Sequence, residues 1–280
     1  MSDATNDTGT MARDWSAVAD AWDTSVDYAD ELSDVATLAL LGQLAPGAGE
    51  RVLELTAGPG SLGEEWSRRV GPAGRVVLSD LARGMVAVAA RRNAHLANVE
   101  VAELDACAID RADATFDVVA SRMGLMFTPD PAVAFAEIRR VLATDGRFGA
   151  LTWGGIEHNP WMTCVGMAAM MHGLVSGGPP VGPGGIFSLS DPAHLVALAE
   201  GAGFSGVAVQ SFDTSFRSPD IQTHIDRVIS LAGPLAVAFR AATPEQTAAV
   251  RATAADLAAA HTTPSGVELP GLVLMVTGHR

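Results

Sequence analysis

The stretch Val52-Leu53-Glu54-Leu55-Thr56-Ala57-Gly58-Pro59-Gly60 decides how the rest of the chain reads. Val52 to Leu55 form a short apolar run of the kind a buried strand makes, and it ends directly in a turn bearing glycine. Glu54 stands four residues before Gly58 and Gly60 follows, which gives acidic-x-x-x-Gly-x-Gly. Glycine lacks a Cβ and tolerates positive φ, so such a turn lets a ligand come close to the backbone. Extended to Gly63, the stretch also reads G-x-G-x-x-G, the dinucleotide fingerprint. The turn predicts a cofactor that contains adenosine.

Outward from this turn, strands and helices alternate. Strands are expected at 52–55, 75–79, 99–103, 116–121 and 147–153, with helices at 61–70, 82–94 and 131–142 between them. The last of these helices has Asp130 as N-cap and Pro131 at its first position, and Asp145-Gly146 marks a turn after it. The rhythm predicts an α/β fold with a doubly wound parallel sheet, and ligands bind such sheets at the carboxyl ends of the strands. On the amino side, Trp15, Val18, Ala19 and Trp22 have helical spacing, and a second helix is expected over 32–44.

Past Trp153 the rhythm changes. A methionine-rich helix is expected from 159 to about 174, then a glycine–proline loop at 177–185. Asp191-Pro192, Ser218-Pro219 and Thr243-Pro244 each open a helix, the last with Gln246 placed to complete a capping box. Strands are expected at 206–217 and 271–277. The chain reads as one domain over 1–280: a polar tail at 1–12, a cofactor-binding core at 13–153, lid or substrate insertions at 154–190 and 219–265, and two terminal strands.

Composition removes several chemistries. The formal charge is −14, and all 18 basic residues are arginine. Without lysine there is no P-loop lysine and no pyridoxal phosphate Schiff base. The one tyrosine, Tyr28, cannot pair with a lysine in the manner of short-chain dehydrogenases. Strong negative charge disfavours nucleic acid, whose phosphates need clustered cations. No apolar run reaches ~18 residues, so no membrane span is expected. Residues 1–12 show no cationic n-region followed by an apolar stretch, so no signal peptide is expected. With Cys107 and Cys164 far apart, the expectation is reduced thiols in a cytoplasmic protein with no metal site.

Candidate ligand residues fall at successive strand ends. Asp80, twenty residues after Gly60, can accept hydrogen bonds from both ribose hydroxyls. Asp105-Ala106 could meet an adenine edge, and Ser121-Arg122-Met123 lies at the mouth of the site. Each has a plainer reading: Asp80 as a helix cap, Asp105 as a turn aspartate, Glu54 as a structural partner of the loop amides.

Taken together, VLELTAGPG, VVLSD with Met85 after it, LDACAID, FDVVASRMGLMF and RVLATDGR resemble the class I S-adenosylmethionine-dependent methyltransferases. Their order and spacing over 50–153 are similar to the branch containing quinone-biosynthesis C-methyltransferases. The resemblance implies a Rossmann-like, seven-stranded, mostly parallel sheet with an antiparallel last strand and helical lid insertions. It implies S-adenosyl-L-methionine as donor and S-adenosyl-L-homocysteine as product. Thr56, Ala57, Gly58 and Gly60 would face the methionine part, Asp80 the ribose, and Asp105 and Ala106 the adenine, with Glu54, Leu81, Met85 and Ser121 also among the cofactor-binding residues. Thr56 stands where glycine is often found.

Methyl transfer from a sulfonium chiefly needs alignment and exclusion of water, with a base only where the acceptor must lose a proton. His158, just past the strand ending at Trp153, is the candidate base, and His172 a second; an exposed loop position is the plainer reading of His158. The expected acceptor is a small, rather apolar molecule. The oligomeric state, a homodimer included, stays open. Two rivals remain: an S-adenosylmethionine-binding relative that transfers no methyl, such as a rearrangement catalyst, and an NAD-dependent oxidoreductase.

Overall fold

A computed structural model describes residues 8–26, 34–176 and 180–280. Tyr28, the first residues of the polar tail, the start of the helix expected at 32 and part of the glycine–proline loop lie outside the described residues.

The sheet is built from β1 (Arg51–Leu55), β2 (Arg75–Asp80), β3 (Val99–Glu103), β4 (Phe116–Arg122), β5 (Leu142–Trp153), β6 (Ser205–Ser218), a two-residue β7 (Thr262–Thr263) and β8 (Gly266–His279). Its order is β3-β2-β1-β4-β5-β8-β6, with β7 beside β8. Strands β1 to β5 pair in parallel, while β8 runs antiparallel to both β5 and β6. This is the Rossmann-like sheet expected, seven long strands with the reversed one last in the chain. The order turns at β1 and β4: the chain steps outward from β1 to β2 and β3, then crosses back to β4. That crossover leaves a crevice at the carboxyl ends of β1 and β4.

The strands follow from side-chain size and branching. β1, β2 and β4 are nearly continuous Val, Leu and Ala, buried on both faces as parallel sheets require. Helices α4 (Gly63–Val70), α5 (Arg83–Asn93) and α6 (Pro131–Val141) connect them. Helix α3 (Asp34–Leu44) packs so closely on β5 that a Cβ at Gly149 would stand 2.6 Å from Leu40 Cδ1.

Several expectations needed correction. Residues 8–12, expected in the tail, belong to α1 (Thr8–Ser16), and α2 (Ala19–Thr24) follows. Asp145-Gly146 does not end an element. It lies in an excursion of β5, where Leu142 pairs Phe116 and Arg147 pairs Val118, so five steps on β5 match two on β4. The ribbon of β6 and β8 is longer than 206–217 and 271–277, pairing from Ser205–His279 to Ser218–Val267. Beyond Val273 that ribbon leaves β5 behind, since β5 pairs only with residues 273–279 of β8.

Helices α7 (Pro160–Met171) and α8 (Pro192–Gly201) precede β6. The segment after β6 holds three helices rather than two: α9 (Ile221–Leu231), α10 (Gly233–Ala241) and α11 (Pro244–Leu257). Asp220, not Ser218, caps α9, accepting from the Thr223 amide at 2.8 Å. The expected caps Asp130, Asp191 and Thr243 are all in place, Thr243 in a full capping box with Gln246. Among the described residues no helix is long and apolar enough to cross a membrane.

Candidate cofactor cleft

The glycine turn leaves β1 at Thr56 and reaches α4 at Gly63. Gly58 and Gly60 both have positive φ, +55° and +73°. Their roles differ. A Cβ added to Gly58 would meet nothing within 4 Å, so that residue borders open space. A Cβ at Gly60 would lie 2.7 Å from Asn93 Nδ2, and one at Gly63 only 2.0 Å from Asn93 Oδ1. Asn93, buried at the end of α5, donates to the Gly60 carbonyl at 3.0 Å. Gly60 and Gly63 are therefore small to let α5 dock on the turn, while Gly58 leaves room for a guest.

Glu54 is buried in β1 and accepts from the Trp66 indole nitrogen at 2.8 Å. This bond ties the strand before the turn to the helix after it. Ala57 is fixed from the neighbouring strand, its amide donating to the Ser79 carbonyl at 2.8 Å.

Asp80 ends β2 beside the turn. Its Oδ2 accepts from the Gly58 amide and its Oδ1 from the Ala82 amide, both at 2.9 Å. Withdrawal from water raises the Asp80 carboxyl above the usual aspartate value, against the opposing pull of the Ala82, Gly58 and Leu81 amides. The side chain is thus a preset acceptor, half-buried and braced from both sides. Leu81 follows it, half-exposed, before α5 begins. Asp105 shapes its own turn, Oδ1 accepting from the Cys107 amide at 2.8 Å, and Ala106 beside it is buried.

At the end of β4, Ser121 is buried and its Oγ is 2.7 Å from Thr56 Oγ1. Thr56 also donates to the Leu55 carbonyl at 2.6 Å. Its φ is +53°, a region that suits glycine and costs a β-branched residue about 1–3 kcal/mol. The threonine side chain lies directly over Gly124, where an added Cβ would fall 2.1 Å from Thr56 Oγ1. Gly124 is small because Thr56 is not.

Other expected residues lie further from the turn. Met85 is buried in a separate cluster with Val18, Ala19, Ala82, Val88 and Ala236, joining α5 to the N-terminal helices and α10. His158 is exposed, its side chain 59% accessible and its Nε2 3.4 Å from Glu157 Oε1. His172 bonds Thr253 at 2.8 Å, linking α7 to α11. Among the described residues no group of three His, Cys, Asp or Glu side chains is placed to hold a metal ion.

Two features had no signal in the local pattern. Arg122 reaches from the end of β4 to bond Ser61 in the glycine turn, across 61 positions of chain. The N-terminal helices form a cap at this side of the sheet. Ser16 Oγ accepts from the Gly84 amide at 3.2 Å, and Trp15 packs on Phe127 with ring centroids 5.0 Å apart. Asp23 of α2 pairs with Arg91 and Arg92 of α5 at 2.8 and 3.0 Å.

Comparison with known proteins agrees with this geometry. Residues 52–146 match the family model described as a methyltransferase domain. A ubiquinone/menaquinone biosynthesis C-methyltransferase UbiE of Hahella chejuensis is 36% identical over 103 residues, which span 36% of this chain and 41% of that protein. The chain thus covers less than half the length of that relative. Among solved structures, the YcgJ protein from Bacillus subtilis superposes with a TM-score of 0.59 at 18% identity, covering 86% of this chain and 96% of that one. A Haemonchus contortus phosphoethanolamine N-methyltransferase 2, in complex with S-adenosyl-L-methionine, gives 0.53 at 19% identity, covering 87% and 51%. Both likenesses are of fold. With the sheet order, the glycine turn and Asp80 in place, residues 52–146 are the part of the chain that is similar to a methyltransferase domain.

Proposed function

We propose that the cleft at the carboxyl ends of β1 and β2 binds S-adenosylmethionine and passes its methyl group to a small, rather apolar acceptor. The observation that carries this reading is Asp80, a braced carboxylate 2.9 Å from the amide of the one turn glycine that borders open space. Asp80 is the residue to accept from the ribose hydroxyls, with Leu81 beside it. Asp105 and Ala106 would meet the adenine, and Thr56 to Gly60 the methionine part. Arg122, already against Ser61, supplies positive charge on the same side. Ser121 holds the Thr56 hydroxyl in place.

Bound there, the cofactor brings an electrophilic methyl and its own neutral leaving group, with S-adenosylhomocysteine as product. The chain's work is then alignment and exclusion of water. The Trp15–Phe127 contact and the α1–α5 bond close one side. The acceptor would sit between the sheet and α7, α9, α10 and α11, all within one domain. His158 remains the candidate base for an acceptor that must lose a proton. Its exposure means that base action would need the acceptor or the surrounding loop to enclose it.

The test is incubation of the full chain with methyl-labelled S-adenosylmethionine and a panel of small aromatics, starting with quinone precursors because of the relative's named chemistry. Label is expected in at least one acceptor. Binding of S-adenosylhomocysteine with no transfer to any member of a broad panel would count against methyl transfer. Stabilisation by NAD but not by S-adenosylhomocysteine would overturn the cofactor as well.

A further inference from the structure

Apart from the cleft, α2, α9, α10 and α11 border an open groove of about 420 Å³, within the range of small-molecule sites at roughly 300–1,000 Å³. None of its lining residues belongs to the glycine turn, to Asp80 or to a strand end. Its apolar part is made by Ala21, Ile229, Ala236 and Phe239. Its polar part is Arg240 and Arg251, with the hydroxyls of Ser230 and Thr247.

Two arginines on one groove stand out in a chain of formal charge −14. Arg240 donates from Nη2 to the Ala17 carbonyl at 3.0 Å. Arg251 donates from Nη1 to Gln222 at 3.1 Å and pairs with Asp226. A guanidinium has five N–H donors, so these bonds leave both groups donors for an anion. Among the described residues, the carboxylate that pairs with these arginines is Asp226, one negative charge against two positive ones.

We propose that this groove binds a small amphiphile with a single carboxylate head, the head on Arg240 and Arg251 and the apolar body along Ile229, Ala236 and Phe239. The geometry requires both halves: guanidinium forks favour a planar anion, and the apolar wall gains from covering hydrocarbon.

Titration calorimetry of the full chain with sodium decanoate below its micellar concentration tests this, with acetate and 1-decanol as head-only and body-only probes. Saturable one-to-one binding of decanoate is expected, with acetate and decanol each at least tenfold weaker. Arg240→Gln should weaken decanoate about tenfold or more, and Thr247→Trp should block it by filling the groove. Circular dichroism and melting show whether each variant is folded, and the second variant stands if the first is not. No saturable decanoate binding, equal binding of decanol, or unchanged affinity in folded variants would overturn the proposal. Failure of S-adenosylhomocysteine to bind would leave this result standing, because the two sites share no residue.

Discussion

At the scale of single residues, the central pair is Thr56 and Gly124. Thr56 holds positive φ because its hydroxyl bonds Ser121 and the Leu55 carbonyl, and its side chain occupies the space a Gly124 side chain would need. Gly124 itself has φ −134°, which any residue adopts, so the constraint is volume and not backbone. Gly124→Ala should therefore cost about 1–3 kcal/mol by overpacking. Adding Thr56→Gly should recover most of that loss, giving a coupling of about 1 kcal/mol or more in a double-mutant cycle read by denaturant melts. Additive effects would show that the two side chains do not compete for one space. Asp80 makes a second prediction at this scale. Its carboxyl is raised by burial, and ribose hydroxyls would donate to the ionised form, so ligand binding should release a proton. Affinity for S-adenosylhomocysteine should fall as pH is lowered through that raised value, and the pH dependence should vanish in Asp80→Asn. The residue types at these positions were legible: Asp80 and Ser121 stand at the strand ends where the spacing put them. The Thr56–Gly124 exchange of volume was not, because it depends on a contact across 68 positions that no local pattern encodes.

At the scale of elements, the glycine turn is held as a strand–turn–helix unit by Glu54–Trp66 at one end and Asn93–Gly60 at the other. Trp66 is fully buried, and Trp66→Phe keeps most of the volume while removing the donor to Glu54. That substitution should cost about 1–3 kcal/mol, visible as a lower unfolding midpoint with an unchanged denaturant slope. Glu54 was expected to hold the loop amides, and the Trp66 indole on the following helix is one partner that it takes. Element starts were read well where a side chain makes them. Asp130, Asp191 and Thr243 cap their helices as their chemistry demands. The start of α9 was misplaced because Ser218-Pro219-Asp220 offers two caps, and the aspartate, bonded to both the Thr223 amide and its hydroxyl, wins. The extra length of β6 and β8 was hidden because their outer halves extend past β5, and Pro270 and Gly271 interrupt the apolar pattern there.

At the scale of the whole molecule, the insertion after β6 is joined to the core by an aromatic cluster. Trp161 stacks on Phe216 with centroids 4.1 Å apart, Trp153 packs against both, and His224 of α9 meets Phe216 edge-on. His224 is fully buried and its Nε2 lies 2.7 Å from the Trp161 carbonyl, so Nε2 carries the proton and donates. Its Nδ1 has no partner among the described residues. Desolvation pushes the imidazole below its ordinary value, against the Trp161 carbonyl's opposing pull and with help from the Arg227 charge. The folded state thus binds this proton less well than the unfolded chain does. The stability His224 contributes is present above the ordinary histidine value, about 6.5, and is lost as pH falls from there through the depressed folded value. Melting between pH 7.5 and about 5.5 should show a larger drop for the native chain than for His224→Gln. Equal slopes would mean the imidazole does not titrate against folding. The N-terminal cap is likewise a property of the whole molecule, with the Trp22 indole donating to the Leu231 carbonyl at 2.8 Å and α1 seated on Gly233. Its helical spacing was legible in the sequence, while its partners, some 209 positions away, were not.

Asp80 as the ribose acceptor of an S-adenosylmethionine cleft is tested most directly by calorimetry of S-adenosylhomocysteine binding to the native chain and to Asp80→Ala. Saturable binding by the native chain is expected, weakened in the variant by about 1.5–3 kcal/mol, roughly ten- to a hundredfold. Unchanged affinity in a folded Asp80→Ala, or no binding by the native chain, would contradict it.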